Sequence, residues 1–537
     1  MKKRLKHFSL SLMVFSLFLS CEIINFDLQD NPNLLTPTSA NPEFLLNELQ
    51  YLFQDIMGDM NINTDDVMRY EAITNNYGDV VDSDVLDTEW ERYFEALNIS
   101  KTITTLASSN ESLTFHNAVN KLLMGYLTVT MVDYIGSIPY SEASKPNEFS
   151  NPKLDAGADL YKMVLTDIDA AIIAINVATV NVSSDLFYKS NKEKWIAFAN
   201  TFKLRILIQT RLNSSAIGVT DLKEQINTLL AGPIIDTPLE DFVHSYASSE
   251  SPESRHPYYQ RSYVAGFSQY ICNYFMFMLK DSKSIRDPRI RYYLYRQSNI
   301  NPFSPREYLA CQGDPTVTYC YLGDGYWGLD QGEERTGRGD NLLRTTYGVY
   351  PGGGVFDEDQ FRDATSSTIQ SSSMLGVGIM PILTSSFVKF LAAEAALTLG
   401  TNGNPKILLE QAVRASITKV LNFRNSSSPY TPNPIDVENY ISEVLSNYDN
   451  ATTDEERLDV IITEYYLASY GNSIEAYNAY RRTGYPSNIQ TPITDSNPTF
   501  PRSFPYSAIA VMNNSSISQK QNTDRVFWDT NPDGFIK

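Results

Sequence analysis

The chain has 537 residues, of which 42% are hydrophobic and 20% are charged, a composition typical of a folded globular protein rather than a disordered one. Its 43 basic and 63 acidic side chains give a net charge of −20, which disfavours binding to nucleic acid or to anionic lipid headgroups. The four histidines do not follow the spacing of zinc ligands, so neither zinc chemistry nor histidine-based catalysis is expected.

The N-terminus predicts export and a lipid anchor. A basic segment with Lys2, Lys3, Arg4 and Lys6 precedes the apolar run "FSLSLMVFSLFLS", which has the length of a signal peptide and is too short for a membrane span. Residues 1–20 are therefore predicted to be removed. Ser20 directly before Cys21 resembles a bacterial lipobox, so the mature chain is expected to begin at a lipidated Cys21 and be held at a membrane by acyl chains. The alternative is an ordinary secretory signal with an incidental cysteine.

Helical periodicity dominates after a polar spacer at residues 21–40. Apolar side chains recur every three or four residues in several stretches, and Thr453 and Glu456 have the spacing of a capping box. Residues 41–537 are therefore predicted to be one mostly α-helical domain of stacked helical hairpins. The apolar stripes, each expected in the core, are Val119-Leu122-Tyr126-Val129, Leu160-Val164-Ile168-Ile172, Trp195-Phe198-Phe202-Ile206 and Leu458-Ile461-Tyr465-Ala468.

A loop-rich insert at about residues 301–380 interrupts this pattern. It holds half of the 26 glycines together with the stretches "DGYWG", "TGRGD" and "VYPGGGVFDED". A loop of this length in a helical protein is more often functional than accidental, and its aromatic residues argue against disorder. The insert is therefore predicted to present binding groups.

The residue types in the insert are those that recognise sugars, because aromatic faces cover the C–H side of a pyranose ring and planar polar groups bind its hydroxyls. The predicted ligand-binding side chains are Tyr321, Tyr326, Trp327, Tyr347 and Tyr350 for stacking, with Asp324, Arg338 and Asp340 for hydrogen bonds. The alternative is that Tyr326 and Trp327 anchor the insert on the helical body.

Two other loops are candidate ligand contacts. "TNNYGDVVDSD" carries Tyr77 and Asp79, and "SRHPYYQRSY" carries Tyr258 beside a proline, where it is exposed if the segment is a turn. For each of these a structural role is at least as plausible. Trp90 and Tyr93, three residues apart, are expected in the core.

Cysteines and acidic loops suggest a disulfide but no resident cofactor. In an oxidising envelope Cys311 and Cys320 are candidates for a small disulfide loop, whereas Cys272 is expected to be a buried thiol. Calcium is the one cofactor with sequence candidates. "DTNPDG" at 529–534 copies the start of an EF-hand loop but the printed chain lacks the glutamate twelve positions in, and "DQGEE" at 330–334 is otherwise a solvated acidic turn.

Six motifs in the same order resemble the SusD/RagB family of outer-membrane lipoproteins of Bacteroidetes, nearer its SusD-like 2 branch, over essentially the whole mature chain. They are "MVDYIGSIPYSEA", "KWIAFANTFKLRI", "DPRI", "FLAAEAAL", "EAYNAYRRTGYP" and "FPRSFPY". Ser137, Phe387 and Ala510 depart from the family pattern, which affects a local hydrogen-bond network rather than the fold. The motif arginines Arg205, Arg289, Arg481 and Arg482 are expected to hold carboxylates or helix C-termini.

This resemblance implies tetratricopeptide-like helical pairs with a loop-rich, ligand-facing part, and no catalytic activity. It further implies a cell-surface lipoprotein of the outer membrane that captures oligo- or polysaccharide and delivers it to a SusC-like TonB-dependent transporter. Three alternatives remain. They are a peptide-binding lipoprotein of the same transport type, a glycoside hydrolase drawing on the many carboxylates, and a structural lid that binds no ligand.

Overall fold

The computed structural model describes residues 40–74, 77–266, 269–300, 317–333, 339–424, 427–493 and 499–536, with only the backbone described for Tyr77 and Asp79. The described chain is mostly helical, as predicted. The helices are α1 (Pro42–Val67), α2 (Tyr77–Val80), α3 (Asp87–Ser108), α4 (Thr114–Ile135), α5 (Gly157–Val177), α6 (Lys192–Gln209), α7 (Leu222–Leu230), α8 (Pro257–Tyr259), α9 (Asn273–Lys280), α10 (Ile290–Tyr293), α11 (Ser367–Ser372), α12 (Ser385–Leu399), α13 (Pro405–Leu421), α14 (Pro434–Asn450), α15 (Asp454–Ala468), α16 (Ser473–Thr483) and α17 (Ala508–Asn513).

Local sequence signals set where the helices begin and end. Helix α1 starts with Pro42, and the side chain of Asn41 accepts a hydrogen bond from the Glu43 N–H at 2.9 Å. The predicted capping box of Thr453 and Glu456 is present at the start of α15. Helix α4 ends at Gly136, whose φ of 94° favours glycine.

Helices that are neighbours in sequence pack against each other, as expected for stacked helical pairs. Such pairs include α1 with α3, α4 with α5, α12 with α13 and α14 with α15. Trp195, Phe198 and Phe202 on α6 are fully buried, so this predicted stripe lies in the core, as do Trp90 and Tyr93. Within the described ranges, no helix combines the length and the apolar character that crossing a membrane requires.

Buried ion pairs tie the helical pairs together, as predicted for the motif arginines. Arg482 donates to both oxygens of Glu394 at 2.7 Å. Burial alone would raise the pKa of Glu394, but Arg482 and Arg211 outweigh it and lower that pKa to about 2. Further pairs are Arg205–Glu475 and Arg289–Asp287.

The described residues also form three short antiparallel strand pairs, two of which attach the insert to the body. The strands are β1 (Ser137–Ile138), β2 (Asp155–Ala156), β3 (Phe242–Ser245), β4 (Leu294–Arg296), β5 (Thr345–Tyr347) and β6 (Ile379–Leu383). Strand β5 of the insert pairs with β4, and β6 at its end pairs with β3. Outside these strands and α11, the described part of the insert has little regular structure.

Candidate functional site

Trp327, the first candidate for sugar stacking, is 3% exposed. Its indole N–H donates to Asp340 at 3.3 Å, and its backbone N–H donates to the Thr345 hydroxyl at 2.9 Å. Its ring packs in a small cluster with Tyr321, whose ring centre is 6.0 Å away. Trp327 thus offers almost no ring surface to solvent, which favours the alternative role as an anchor of the insert, while its role as a ligand contact stays a prediction.

Asp340 is also buried rather than presented to a ligand. Besides Trp327, its carboxylate accepts hydrogen bonds from the Tyr270 hydroxyl at 2.7 Å and from Arg344 at 3.1 Å. A buried carboxylate requires such donors because an unpaired charge is costly away from water. Asp340 therefore joins the insert to the segment before α9.

Four further aromatic candidates are also buried. Insert loops with little regular structure need large side chains to fix them to the body, and aromatic rings provide the most apolar area per residue. Tyr326 lies with its ring 5.0 Å from the Arg296 guanidinium, and Tyr350 packs edge-on against Phe423 at 5.1 Å. The candidates that do not reach the surface are Tyr258, Tyr326, Tyr347 and Tyr350.

Two candidates keep some exposure at the turn that carries Gly323 and Gly325. Tyr321 is half-buried, and its hydroxyl accepts the Gly325 N–H at 2.9 Å. Asp324 is exposed and lies 3.3 Å from Arg286 and 3.6 Å from Lys280. Neither lines the cavity described below.

Several candidates fall outside what the structure describes. These are Arg338, Cys21, Cys311 and the side chains of Tyr77 and Asp79. Cys320 is disulfide-bonded, and Cys272 is a free buried thiol, as predicted. Since Cys311 is not described, the pairing of Cys311 with Cys320 stays a prediction.

A polar cavity of about 310 Å³ opens where the segment after α1 meets the segment after α8. We call it the Asp66 cavity. Its lining combines charged and amide side chains with an apolar wall, the combination that binding sites for small polar ligands use. The lining residues are Asn63, Asp66, Glu71, Ala72, Ile73, Thr74, Val80, Val85, Arg261 and Gln269.

An ion pair forms one side of the Asp66 cavity. Arg261 donates to both carboxylate oxygens of Glu71, at 2.9 and 2.8 Å, in the two-bond geometry that makes such pairs strong. The Tyr347 hydroxyl also donates to Glu71. Burial raises the pKa of Glu71, and Arg261 opposes that shift.

Two of the predicted tyrosines form the layer behind this ion pair. The rings of Tyr258 and Tyr347 stack with centres 4.2 Å apart and planes 7° from parallel. The Tyr258 hydroxyl donates to Asp65 at 2.5 Å, while Tyr347 reaches Glu71. The structure thus brings these two separate candidates together, but as support for charged groups rather than as stacking surfaces.

The insert also borders the Asp66 cavity. The Gln331 side chain donates to the Asp66 carbonyl oxygen at 3.0 Å, and the Gly332 N–H donates to the Ile73 carbonyl oxygen at 3.1 Å. On the other side, helix α2 contributes Val80. The segment that carries Tyr77 and Asp79 therefore borders the candidate site through Val80.

The polar residues of the Asp66 cavity were not predicted. Asp66 lies in the last turn of α1, and Glu71 and Arg261 lie in or beside turns. The sequence places them in three stretches without a shared spacing, and Arg261 sits in the same "SRHPYYQRSY" segment as Tyr258. A weak signal was available in that segment, since a turn that carries an arginine beside aromatics is a common surface for polar ligands.

The calcium candidates are used structurally. Asp529 forms an ion pair with Arg502, and Asp330 accepts hydrogen bonds from the Asn273 amide at 2.7 Å and the Gln490 amide at 2.8 Å. These partners occupy the oxygens that a cation would need. In the described part of the chain, no three or more histidine, cysteine or acidic side chains are grouped so that they could hold a metal ion.

Two family models match most of the chain. Residues 32–314 match the SusD-like 2 family, described as "Starch-binding associating with outer membrane", and residues 344–525 match the SusD-like family, described as "Susd and RagB outer membrane lipoprotein". No curated protein matches the chain.

Solved structures of low sequence identity share the fold. A SusD homologue from Bacteroides fragilis is 16% identical, with 91% of this chain and 99% of that chain covered and a TM-score of 0.65. A chitin-binding SusD homologue from Flavobacterium johnsoniae is 18% identical, with 91% and 99% covered and a TM-score of 0.65. A SusD/RagB family protein from Bacteroides thetaiotaomicron is 16% identical, with 92% and 100% covered and a TM-score of 0.66.

The first family match alone spans more than half of the chain, and the second extends it close to the C-terminus. The helical pairs and the strand-tethered insert agree with the shared fold. The chain belongs to the SusD-like family of outer-membrane lipoproteins, whose members bind nutrients and are not enzymes.

Proposed function

We propose that this lipoprotein captures oligo- or polysaccharide at the cell surface, binds it at the Asp66 cavity, and delivers it to a SusC-like TonB-dependent transporter. The observation that carries the proposal is the cavity itself, a partly enclosed polar space between the helical body and the edge of the insert. Of the five aromatic candidates in the insert, Tyr326, Trp327, Tyr347 and Tyr350 are buried and Tyr321 is half-buried, so the insert supports a ligand site less well than the cavity does.

The lining of the Asp66 cavity suits a hydroxyl-rich ligand. Asp66, Asn63 and Gln269 offer planar polar groups that exchange hydrogen bonds with hydroxyls, whereas Ile73 and Val80 offer apolar surface for the C–H side of a ring. One small cavity supports modest affinity, which suits a protein that must pass its ligand on.

The family descriptions and one solved relative support a glycan ligand. The description of the SusD-like 2 family includes starch binding, and the relative from Flavobacterium johnsoniae binds chitin. These are properties of other proteins, and at 18% identity the choice of sugar does not transfer to this chain.

A glycan array probed with the purified lipoprotein in detergent tests the proposal. We expect a subset of oligosaccharides to bind, and Thr74→Trp to weaken that binding about tenfold or more because the indole fills the cavity. Isothermal titration calorimetry with the best array ligand measures the change.

Thr431→Trp is the matched control, because Thr431 lines a separate cavity of about 460 Å³ bounded by Ser284 and Asp436. It is expected to change the affinity less than about twofold. If Thr431→Trp weakens binding and Thr74→Trp does not, the ligand site is in the other cavity. Binding of peptides with no glycan binding would replace the glycan proposal by a peptide-binding one, and binding of neither would favour a structural lid.

Delivery to a transporter is tested separately. Mild solubilisation of native outer membranes, followed by capture of this lipoprotein, is expected to co-purify a large TonB-dependent β-barrel. Capture of the lipoprotein alone, under conditions that keep other outer-membrane complexes intact, would contradict this part of the proposal.

A further inference from the structure

Asp66 is a charged residue of the Asp66 cavity whose side chain has no hydrogen-bond or ion-pair partner among the described residues. Its backbone carbonyl accepts from the Gln331 amide at 3.0 Å and from the Arg69 N–H at 3.4 Å. Its carboxyl group makes no such bond. A partly buried carboxyl group in this state lacks the compensation that buried charges normally have.

Glu71, the other acidic residue that lines the cavity, is already paired, and the neighbouring Asp65 has one hydrogen-bond donor. Glu71 is held by Arg261 and Tyr347, and Asp65, which precedes Asp66 on α1, accepts from Tyr258 at 2.5 Å. Among the lining residues, two carboxyl groups, Asp66 and Glu71, face one guanidinium. Once Asp66 ionises, the cavity can therefore balance one further positive charge.

The pKa of Asp66 agrees with this count of charged groups in the cavity. Burial, and next the negative charge of Glu71, raise the pKa of Asp66 to about 8, against a smaller opposing effect of Arg261. This shift favours the protonated form of Asp66 at neutral pH. A cation placed beside it would favour the ionised carboxylate and release a proton.

We infer that the Asp66 cavity recognises a primary ammonium group, and that its ligand is a glycan with an amino sugar that is not N-acetylated. The inference rests on the proposed function, because it takes this cavity as the glycan site. It adds the chemical class of the sugar and assigns Asp66 as the residue that selects it.

An ammonium group fits the donors and acceptors of the cavity better than a metal ion does. Calcium needs six to eight oxygen ligands, and of the two lining carboxyl groups Glu71 is already bonded to Arg261. An ammonium group has three donors. Asp66 accepts one, and Thr74 and Asn63 supply neutral oxygens, since Asn63 uses its amide nitrogen for Glu89 at 3.2 Å.

Calorimetry with two matched sugars tests the inference. Oligomers of glucosamine and of N-acetylglucosamine, of equal length and linkage, are titrated into the purified lipoprotein at about pH 7. We expect the glucosamine oligomer to bind about tenfold more tightly, as an additional charge-assisted hydrogen bond predicts. Equal affinities, a preference for the acetylated sugar, or no detectable binding of the glucosamine oligomer would overturn the inference.

Asp66→Asn is the matched variant, because asparagine keeps the size of the side chain and removes the ionisable group. It is expected to abolish the preference by weakening the glucosamine oligomer about tenfold, with less than about a twofold change for the acetylated sugar. An unchanged preference would overturn the role of Asp66.

The pH dependence provides a second readout. Between about pH 5 and pH 6, where the amino groups of the sugar remain protonated, affinity for the glucosamine oligomer is expected to rise with pH in the wild type, because Asp66 has to release its proton to form the ion pair. Asp66→Asn should remove this rise. A wild-type affinity that is flat or falls with pH would contradict proton release from Asp66.

Failure of the inference is distinguishable from failure of the proposed function. Neutral glycans that bind on the array and lose affinity with Thr74→Trp, but show no preference for an ammonium group, leave the proposed function in place and overturn the inference. A short peptide with a free N-terminus that outcompetes the glucosamine oligomer would overturn the assignment to an amino sugar.

Discussion

The insert and the Asp66 cavity differ in the way they use polar and aromatic residues. In the insert, Trp327 and Tyr326 are buried, and the carboxylate of Asp340 accepts hydrogen bonds from Trp327 and Tyr270. In the Asp66 cavity, the aromatic residues Tyr258 and Tyr347 lie behind the surface, and polar groups face the open space. Both regions are aromatic-rich in sequence, so richness in aromatics alone does not distinguish an anchor from a ligand contact.

The two regions differ because they contain different amounts of regular secondary structure. The insert makes few backbone hydrogen bonds in strands or helices, so burial of its large side chains has to fix its course. The cavity is built on the end of α1 and a short helical turn, which are already fixed, so that side chains there are available for polar contacts. Three substitutions test this contrast between the two regions.

The largest effect is expected for Trp327→Ala. Removing a buried tryptophan should lower the free energy of unfolding by about 3–5 kcal/mol, because it leaves a cavity in the cluster that fixes the insert. Urea denaturation monitored by circular dichroism measures the loss. Glycan affinity at a temperature where the variant is folded should change less than about twofold.

Trp327→Phe is the control, since it keeps most of the ring and removes the hydrogen bond to Asp340. It should cost about 1–2 kcal/mol. If Trp327→Ala abolished glycan binding without a loss of stability, the insert tryptophan would be a ligand contact, and the contrast between the two regions would fail.

A smaller effect is expected for the stability of Asp66→Asn. The folded-state pKa of Asp66 is raised to about 8 from an ordinary value of 3.8, so the folded chain holds this proton more tightly than the unfolded chain. Ionisation of Asp66 therefore destabilises the wild type as pH rises between these values. Asparagine does not titrate, and the variant should gain stability relative to the wild type by about 1 kcal/mol between pH 6 and pH 7.

Urea denaturation of both proteins at the two pH values measures this difference. A difference that grows from pH 6 to pH 7 is the decisive result, because a salt-bridged aspartate is ionised in both the folded and the unfolded chain at these pH values and would leave the difference constant. A difference that is constant with pH would show that Asp66 is not held in a cavity that disfavours its charge.

The smallest effect is expected for Asp324→Ala in the exposed turn of the insert. Its contacts with Arg286 and Lys280 are solvent-exposed ion pairs, so the loss of stability should stay below about 0.5 kcal/mol. Glycan affinity should not change, because Asp324 lies outside the Asp66 cavity. A loss of affinity in calorimetry would place ligand at the insert turn and contradict the comparison.

Most of the fold could be predicted from the sequence. The stripe of Trp195, Phe198 and Phe202 and the capping box at Thr453 depend on residues close in sequence, and local periodicity reports them directly. The motif arginines were also predictable, because Arg482 lies in a stretch whose buried environment requires a carboxylate partner such as Glu394.

The site was harder to predict because exposure depends on contacts between distant segments. Tyr347 and Tyr258 are far apart in sequence, and only the pairing of β5 with β4 brings one ring onto the other. The same applies to Asp66, whose lack of a partner is a property of the assembled cavity. Sequence patterns identify side chains that can bind sugar, but they do not show which side of a loop faces solvent.

The hydrogen bond from Tyr347 to Glu71 makes the insert and the cavity thermodynamically linked. Tyr347 belongs to strand β5 of the insert, and Glu71 lines the cavity, so a ligand that changes the charge around Glu71 also changes the strength of a contact that holds the insert. Such coupling is reciprocal. A partner protein that binds the insert would therefore change the affinity of the cavity for its ligand. Docking of the partner is in this way coupled to release of the ligand.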